Sequence, residues 1–343
     1  MNIDLLKRLC CAYGVSGNED DVRNIIIEEI KDFADEIKVD NSGNIIVFKK
    51  GKNRAAVKLM LSAHMDEVGF IITHITDEGL LKFSTIGGID TRVICGKSVI
   101  IGKEHINGVI GAKPIHLLKS NQKEEAVPID ELYIDIGASS KQEALEYVSL
   151  GDFAYFYSIF DSSNGMIKAK AIDDRAGCLI LIDMIKSDLE FDMFFTFVVQ
   201  EEIGLRGSKT AAYQVNPDSA IVVESTTAAD IPGVSKDKQV CQIGKGAVIS
   251  FMDKSTIYDR EYYNLAINIA NKNNIAVQPK QAVAGGNDAG AIHVSRGGVR
   301  TLAVSLPCRY LHSPTSLISQ SDFNSAKLIV WECANKIASG DYE

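Results

Sequence analysis

Two histidines and several carboxylates stand at the ends of apolar runs in this sequence, which is where side chains can converge on a metal. His64 follows Leu59-Met60-Leu61, Glu201 and Glu202 follow Thr196-Phe197-Val198-Val199, Glu224 follows Ile221-Val222-Val223, and His312 comes a short loop after Val304-Ser305-Leu306. One more group, Asp173 in Ala171-Ile172-Asp173-Asp174-Arg175-Ala176-Gly177, opens a predicted helix, where a carboxylate also gains from the helix dipole. Two divalent ions about 3.5–4 Å apart need a shared carboxylate and terminal ligands on either side; two histidines with three carboxylates supply that number. Asp173 is placed to be the shared one. Three carboxylates and a hydroxide also offset the charge of two such ions.

Taken singly, each residue has a plainer reading. A histidine after a strand is more often a hydrogen-bonded structural residue, Glu201-Glu202 could be a solvated pair, and Asp173-Asp174 could merely cap a helix. The combination at several strand ends favours chemistry. His74, His105 and His116 lie in the glycine-punctuated stretch and His293 in a predicted helix, so all four are read as structural or solvent-exposed.

The elements that must position these groups follow from periodicity. Ser16 and Glu19 fit a capping box ahead of a helix carrying Val22, Ile25, Ile26, Ile30 and Phe33. A hairpin, 36–39 with 45–48, turns at Asn41-Ser42-Gly43-Asn44, and the apolar run from Val57 to Leu61 reads as a buried strand. From about 67 to 160 the texture changes to short β-like segments punctuated by glycine, at 70–74, 81–84, 98–101, 108–110, 133–136 and 153–157. That stretch reads as a small all-β domain inserted between residues 1–66 and 161–343. After Gly165, helices over 175–186, 259–271, 288–295 and from 321 alternate with strands over 193–199, 220–223 and 301–306. The expectation is an α/β fold, a mostly parallel sheet covered by helices on both faces, whose ligand crevice lies beyond the carboxyl ends of the strands.

Bulk properties narrow the function. The 343 residues are 46% hydrophobic and 24% charged, the composition of an ordinary folded protein, and the net charge of −9 lacks the basic footprint that nucleic acid or an anionic membrane requires. Seven scattered cysteines without paired CxxC spacing read as reduced thiols. The opening residues MNIDLLKRLCCAYG hold no apolar signal core, and no run of about 18 apolar residues occurs, so the expected location is cytoplasmic.

Five stretches in order along the chain resemble the dinuclear metallo-aminopeptidases of the M42 type, the tetrahedral and glutamyl aminopeptidases. They are Ser62-Ala63-His64-Met65-Asp66-Glu67-Val68-Gly69, the Ala171–Gly177 run, Gln200-Glu201-Glu202-Ile203-Gly204-Leu205-Arg206-Gly207-Ser208, Gly285-Gly286-Asn287-Asp288-Ala289-Gly290 and Arg309-Tyr310-Leu311-His312-Ser313-Pro314. The resemblance implies two divalent ions per subunit, zinc, cobalt or manganese. His64 and His312 would each be a terminal ligand of one ion, Asp173 the bridge, and Glu202 and Glu224 the remaining ligands. Glu201 would be the general base, and Asp66 the carboxylate that holds the His64 imidazole in the right tautomer. It also implies a PDZ-like fold for the insertion, a cis peptide bond at Asp173-Asp174, short peptides as substrates, and dimers assembling into a tetrahedral dodecamer. Glu224 stands where many relatives carry Asp, and Asn287 where they often carry Thr. The alternatives are a deacylase or related amidohydrolase on the same metal scaffold, an endoglucanase, which some relatives are labelled, or a non-catalytic scaffold. A free-amine requirement separates the first; the metal constellation, in place of paired glycosidase carboxyls, argues against the second.

Overall fold

The computed structural model describes residues 1–118 and 125–342. Eight strands form the main sheet in the spatial order Glu36–Val39, Ile45–Lys49, Met193–Val198, Leu59–His64, Ser219–Thr227, Arg300–Cys308, Ala247–Ile249 and Val277–Pro279. The four central strands, from Met193–Val198 to Arg300–Cys308, run parallel. The flanks are mixed: the 36–49 hairpin joins antiparallel, and Ala247–Ile249 pairs antiparallel with Arg300–Cys308 but parallel with Val277–Pro279. Leu59–His64 is buried at every position, as a strand covered on both faces must be.

Helices cover that sheet. Ile172–Ile185 buries almost its whole length against the strands, and Gln320–Ser339 and Arg260–Asn273 pack beside it or over Arg300–Cys308 and Ala247–Ile249. Arg206–Val215 lies on the other side, where Ala212 and Val215 meet Met60, Ala220 and Val222. A three-stranded antiparallel sheet of Asp161–Ser163, Met166–Ala169 and Ser316–Ser319 ties the start of the 161–342 stretch to the loop bearing His312.

The glycine-punctuated segments close into a six-stranded barrel, with Gly69–Ile75, Leu81–Ile86, Tyr133–Asp135, Ile106–Gly111, Ser98–Ile101 and Phe153–Phe156 adjacent in that order. Its own core of Phe70, Phe83, Phe156, Ile101 and Ile134 is distinct from the main one, and Phe70 meets Phe83 and Phe156 edge-on at 5.0 Å. Closure leaves these short strands without a free edge.

Three expectations need correction. The first helix is Ile3–Cys11, which buries Leu5, Leu6, Leu9 and Cys10 at helical spacing; the helix predicted from Ser16 onward is the second, Asp20–Ile30. The capping box does not form. Ser16 Oγ donates instead to Asp66 at 2.6 Å, and Glu19 accepts from the Gly17 and Gln200 amides, because both side chains are drawn into the site. The helix expected over 288–295 is likewise reduced to Ala289–Ile292, with Asp288 just outside it.

Candidate active site

The central strands deliver the polar residues to one rim. His64 is the last residue of Leu59–His64, Glu224 lies inside Ser219–Thr227, Glu201 and Glu202 follow Met193–Val198, and His312 sits four residues beyond Cys308. Asp173 reaches the same rim from the opposite direction. It carries φ −79° and ψ 108°, so the regular turns of Ile172–Ile185 begin only after Asp174, and the peptide bond between the two aspartates is cis. Three non-glycine residues at this rim have left-handed backbones: Ala171 (φ 53°), Gln200 (φ 56°) and His312 (φ 54°). Such conformations cost about 1–3 kcal/mol each and persist where surrounding contacts over-determine them.

The side chains form overlapping groups. His64, Asp173 and Glu224 present ligand atoms all within 4.8 Å of one another, and so do Asp173, Glu202 and His312, with Asp173 common to both. Between His64 Nε2 and one Asp173 oxygen the distance is 3.5 Å; the other Asp173 oxygen lies 3.7 Å from His312 Nε2. The donors suit a divalent cation on a more telling ground. His64 Nε2, Asp173 Oδ1 and Glu224 Oε2 are buried with no hydrogen-bond partner, which is costly unless something binds them. Nitrogen and oxygen donors in this mixture suit zinc, cobalt or manganese.

Electrostatics carry the same strain. Burial works against a charged imidazole at His312, yet Asp173 and Glu202 outweigh it and raise the pKa to about 9. Burial pushes Glu202 up to about 7, against the pull of His312, and lifts Glu224 well above the usual carboxylate range with Glu201 and Asp173 adding to the effect. Asp173 goes the other way: burial is overcome by His312 and His64, which hold it ionised. A rim so crowded with carboxylates and imidazoles is one whose charges a bound cation would offset.

Both rim imidazoles lie against a backbone carbonyl. His64 Nδ1 lies 3.1 Å from the Asp66 carbonyl oxygen and 3.5 Å from its carboxylate, so the backbone carbonyl is the nearer partner and the carboxylate expected to hold the ring stands just behind it. His312 Nδ1 lies 2.9 Å from the Gly88 carbonyl, at the rim of the barrel. Both arrangements leave Nε2 for a ligand. The Asp66 carboxylate instead accepts from the amides of Glu201 (3.0 Å) and Glu202 (3.1 Å) and from Ser16 Oγ, fixing the turn on which both glutamates sit. Glu201 itself stands with His64 and Glu202 in a third group within 4.8 Å.

All seven residues singled out from the sequence therefore gather at one rim. Among the described residues, the four other histidines stay outside the clusters of ligand atoms. His105 stacks on Tyr13 with ring centroids 4.6 Å apart, and His293 Nδ1 lies 2.8 Å from the Ala289 carbonyl within its own helix. One neighbour was given no role from sequence: Asp288, whose two carboxylate oxygens are buried without a partner and whose pKa burial raises to about 6. The run Gly285-Gly286-Asn287-Asp288 was the visible signal.

With this geometry in place, comparison with known proteins is decisive. The model of the M42 glutamyl aminopeptidase family matches residues 43–329. The chain belongs to the M42 peptidase family. M42 relatives include a candidate aminopeptidase of Acetivibrio thermocellus, 42% identical over 330 residues that cover 95% of this chain and 97% of that one. A lysyl aminopeptidase of Pyrococcus furiosus is 32% identical, covering 95% and 94%. Among solved structures, the TET1 peptidase of Pyrococcus horikoshii superposes with a TM-score of 0.86 at 39% identity, covering 97% of this chain and 98% of that one. Its title says that it can assemble into a tetrahedron or a large octahedral shell. The M42 chain described here is an enzyme, a peptide hydrolase.

Proposed function

We propose that this M42 enzyme is a two-metal aminopeptidase that removes the first residue of short peptides, with Glu201 as its general base. The observation that carries the reading is Asp173, one buried carboxylate common to two ligand groups. His64 and Glu224 would complete one coordination sphere, and His312 and Glu202 the other. Bound there, two divalent ions supply Lewis acidity that lowers the pKa of water toward neutrality and polarises the scissile carbonyl.

The protein's own groups do the rest. Burial pushes the Glu201 carboxyl up, with His64 opposing and Asp288 and Glu202 adding to the shift, and its place beside His64 and Glu202 puts it at the rim where it would accept a proton from the attacking water. It then returns that proton to the leaving amine nitrogen. Removal from the chain end, and not internal cleavage, is favoured by shape. Behind Asp173 and Glu224 the rim opens into a cavity of only ≈ 120 Å³, room for a side chain and little more, whereas on the His312 side a space of ≈ 640 Å³ runs between Arg92 of the barrel and Tyr310–Thr315.

The reading extends to self-association through a PDZ-like barrel domain spanning about residues 67–160, with dimers building a tetrahedral dodecamer; the TET1 likeness supports it. Seven cysteines, all free, support a reducing, cytoplasmic setting. No helix among the described residues is long and apolar enough to cross a membrane. The test is release of free amino acids from short peptides, paired with N-acetylated controls, in chelator and then with zinc, cobalt or manganese restored. Metal-dependent cleavage confined to the free-amine peptides is expected. Turnover of blocked peptides would favour the deacylase alternative.

A further inference from the structure

The turn that carries Glu201 and Glu202 is held by side chains from other parts of the chain. Four consecutive amides donate outward: Val199 to Asn44 Oδ1 at 3.0 Å, Gln200 to Glu19 Oε1 at 3.2 Å, and Glu201 and Glu202 to the two Asp66 oxygens at 3.0 and 3.1 Å. Asp66 stands two residues past His64. Asn44 comes instead from the hairpin just ahead of Ile45–Lys49, and Glu19 from the segment before Asp20–Ile30. Neither lines the two cavities at the rim, and Glu19 belongs to none of the ligand groups.

Asn44 is fully buried, and its carboxamide spans both ends of the turn. Oδ1 accepts from Val199, while Nδ2 faces the Gly207 carbonyl (3.2 Å), Thr210 Oγ1 (2.8 Å) and Asp40 Oδ2 (2.8 Å). Asp40 Oδ1 also accepts from the amides of Ser42, Gly43 and Asn44, so the hairpin presents the carboxamide in a fixed place. At the neck of the turn the Gly207 amide donates to the Val199 carbonyl at 3.0 Å. A Cβ at Gly207 would lie 2.3 Å from that carbonyl oxygen and 2.4 Å from Asn44 Oδ1, an approach that only glycine allows. Between the two ends Gln200 and Leu205 both take left-handed backbones, φ 56° and 55°, which persist where surrounding contacts impose them.

We infer that Asn44 and Glu19 are positioning residues for the reaction, which fix this turn from outside so that Glu201 and Glu202 meet the rim in one geometry. The inference rests on the two-metal reading, in which Glu201 is the base and Glu202 holds one ion with His312. Asn44 sets the neck of the turn, and Glu19 sets the left-handed step at Gln200 from which Glu201 departs. Both act through the backbone, at a distance from the reacting atoms. A misplacement of about 1 Å caused by a remote residue costs about a hundredfold in rate. The loss belongs in kcat, because His64, Asp173 and Glu224 are held by other elements and do not depend on this turn.

Asn44→Asp keeps the shape and the acceptor for Val199, but turns an acceptor toward the Gly207 carbonyl and the Asp40 carboxylate. At saturating metal, on the free-amine peptide the wild type cleaves fastest, kcat is expected to fall about 10–100-fold with KM within about twofold. Glu19→Leu should do the same, whereas Glu19→Gln, which keeps an acceptor for the Gln200 amide, should retain wild-type turnover. Zinc titration of the ion-free protein reads the turn without catalysis. Asn44→Asp and Glu19→Leu should weaken one of the two ions by about tenfold or more, and should have no effect in a His312→Ala background, where only the ion of His64 and Glu224 remains. Amide exchange of the ion-free chain should quicken at 199–202 in both variants while the central strands stay protected. Equal weakening of both ions, or a folded fraction that keeps wild-type kcat, would reduce these contacts to structural ones and overturn the assignment. If the wild type cleaves no free-amine peptide, the aminopeptidase reading fails and the zinc and exchange measurements still decide the inference; cleavage at wild-type kcat by Asn44→Asp sinks the inference and leaves that reading standing.

Discussion

The Asp66 carboxylate and the Glu201 backbone amide lie 3.0 Å apart, joining the strand that carries His64 to the turn that carries Glu201, the proposed general base. The same carboxylate accepts from the Glu202 amide, while the Asp66 carbonyl, not its side chain, is the nearest partner of the His64 ring. Truncating the side chain should therefore disturb the two glutamates more than the histidine. Asp66→Ala is expected to lower kcat by about 10–100-fold, the usual cost of losing a group that orients ligands, with the greater loss of affinity at the ion held by Glu202 and His312. Stopped-assay kinetics with metal titration monitor both; equal weakening of the two ions would count against this division of labour.

Glu201 approaches His64 and Glu202 but belongs to neither of the groups that share Asp173. Glu201→Gln keeps the volume and removes the base. The expected outcome is a fall in kcat of roughly 10²–10⁴ with about the wild-type metal content retained, since general-base catalysis is typically worth that factor. Elemental analysis beside the kinetics decides it. A variant that loses its metal would instead make Glu201 a ligand.

Asp173 and His312 should differ in what their loss removes. Asp173 lies in both groups, so Asp173→Ala is expected to release both ions, whereas His312→Ala should release one and leave the pair His64 and Glu224 able to hold the other. Metal content per chain after gel filtration gives the answer directly. Retention of one tightly held ion in Asp173→Ala would rule out the shared carboxylate.

Much of this rim was legible in the sequence because His64, Glu201, Glu202, Glu224 and His312 end or follow runs that read as buried strands, while Asp173 opens a helix. The order of strands was less so. Alternation of helix and strand implies a parallel sheet, and the four central strands obey it, but nothing local in Ala247–Ile249 says that it pairs antiparallel with Arg300–Cys308. Ser16 and Glu19 have the spacing of a cap, and only tertiary contact reveals that Asp66 and the Gln200 amide recruit them away from the helix. Lys280, after Val277-Gln278-Pro279, likewise reads as a surface residue until the fold buries it.

Beside the rim, Glu67 accepts from Lys170 Nζ at 2.7 and 2.9 Å and from the Gly14 amide, with the Arg175 guanidinium 3.5 Å away, all of them buried. This single carboxylate faces two cations, one of which lies two residues beyond Asp173 along the chain. Glu67→Gln keeps the shape and strands both charges, so the fold is expected to lose about 3–5 kcal/mol, the scale for breaking a buried pair from one side. Urea unfolding of the ion-free protein measures it. A loss below about 1 kcal/mol would put these groups on the scale of exposed ion pairs and count against the buried cluster.

Metal binding should be proton-linked, and the sign follows from the site. In the ion-free protein the carboxylates around His312 raise its pKa to about 9, so at neutral pH the imidazole carries a proton that a ligand nitrogen must give up. Glu202, raised to about 7 by burial, is also partly protonated there. Ions bound by these groups displace the protons, so affinity increases as pH rises, by roughly tenfold per unit for each proton displaced. The Glu202 contribution fades above about pH 7 and that of His312 above about pH 9, where the curve should flatten. Calorimetry in two buffers of different ionisation heat counts the protons directly. Release of at least one proton per chain at pH 7 is expected from the wild type and a smaller number from His312→Ala; binding without proton release would show that His312 is already neutral and is not held as its carboxylate neighbours imply.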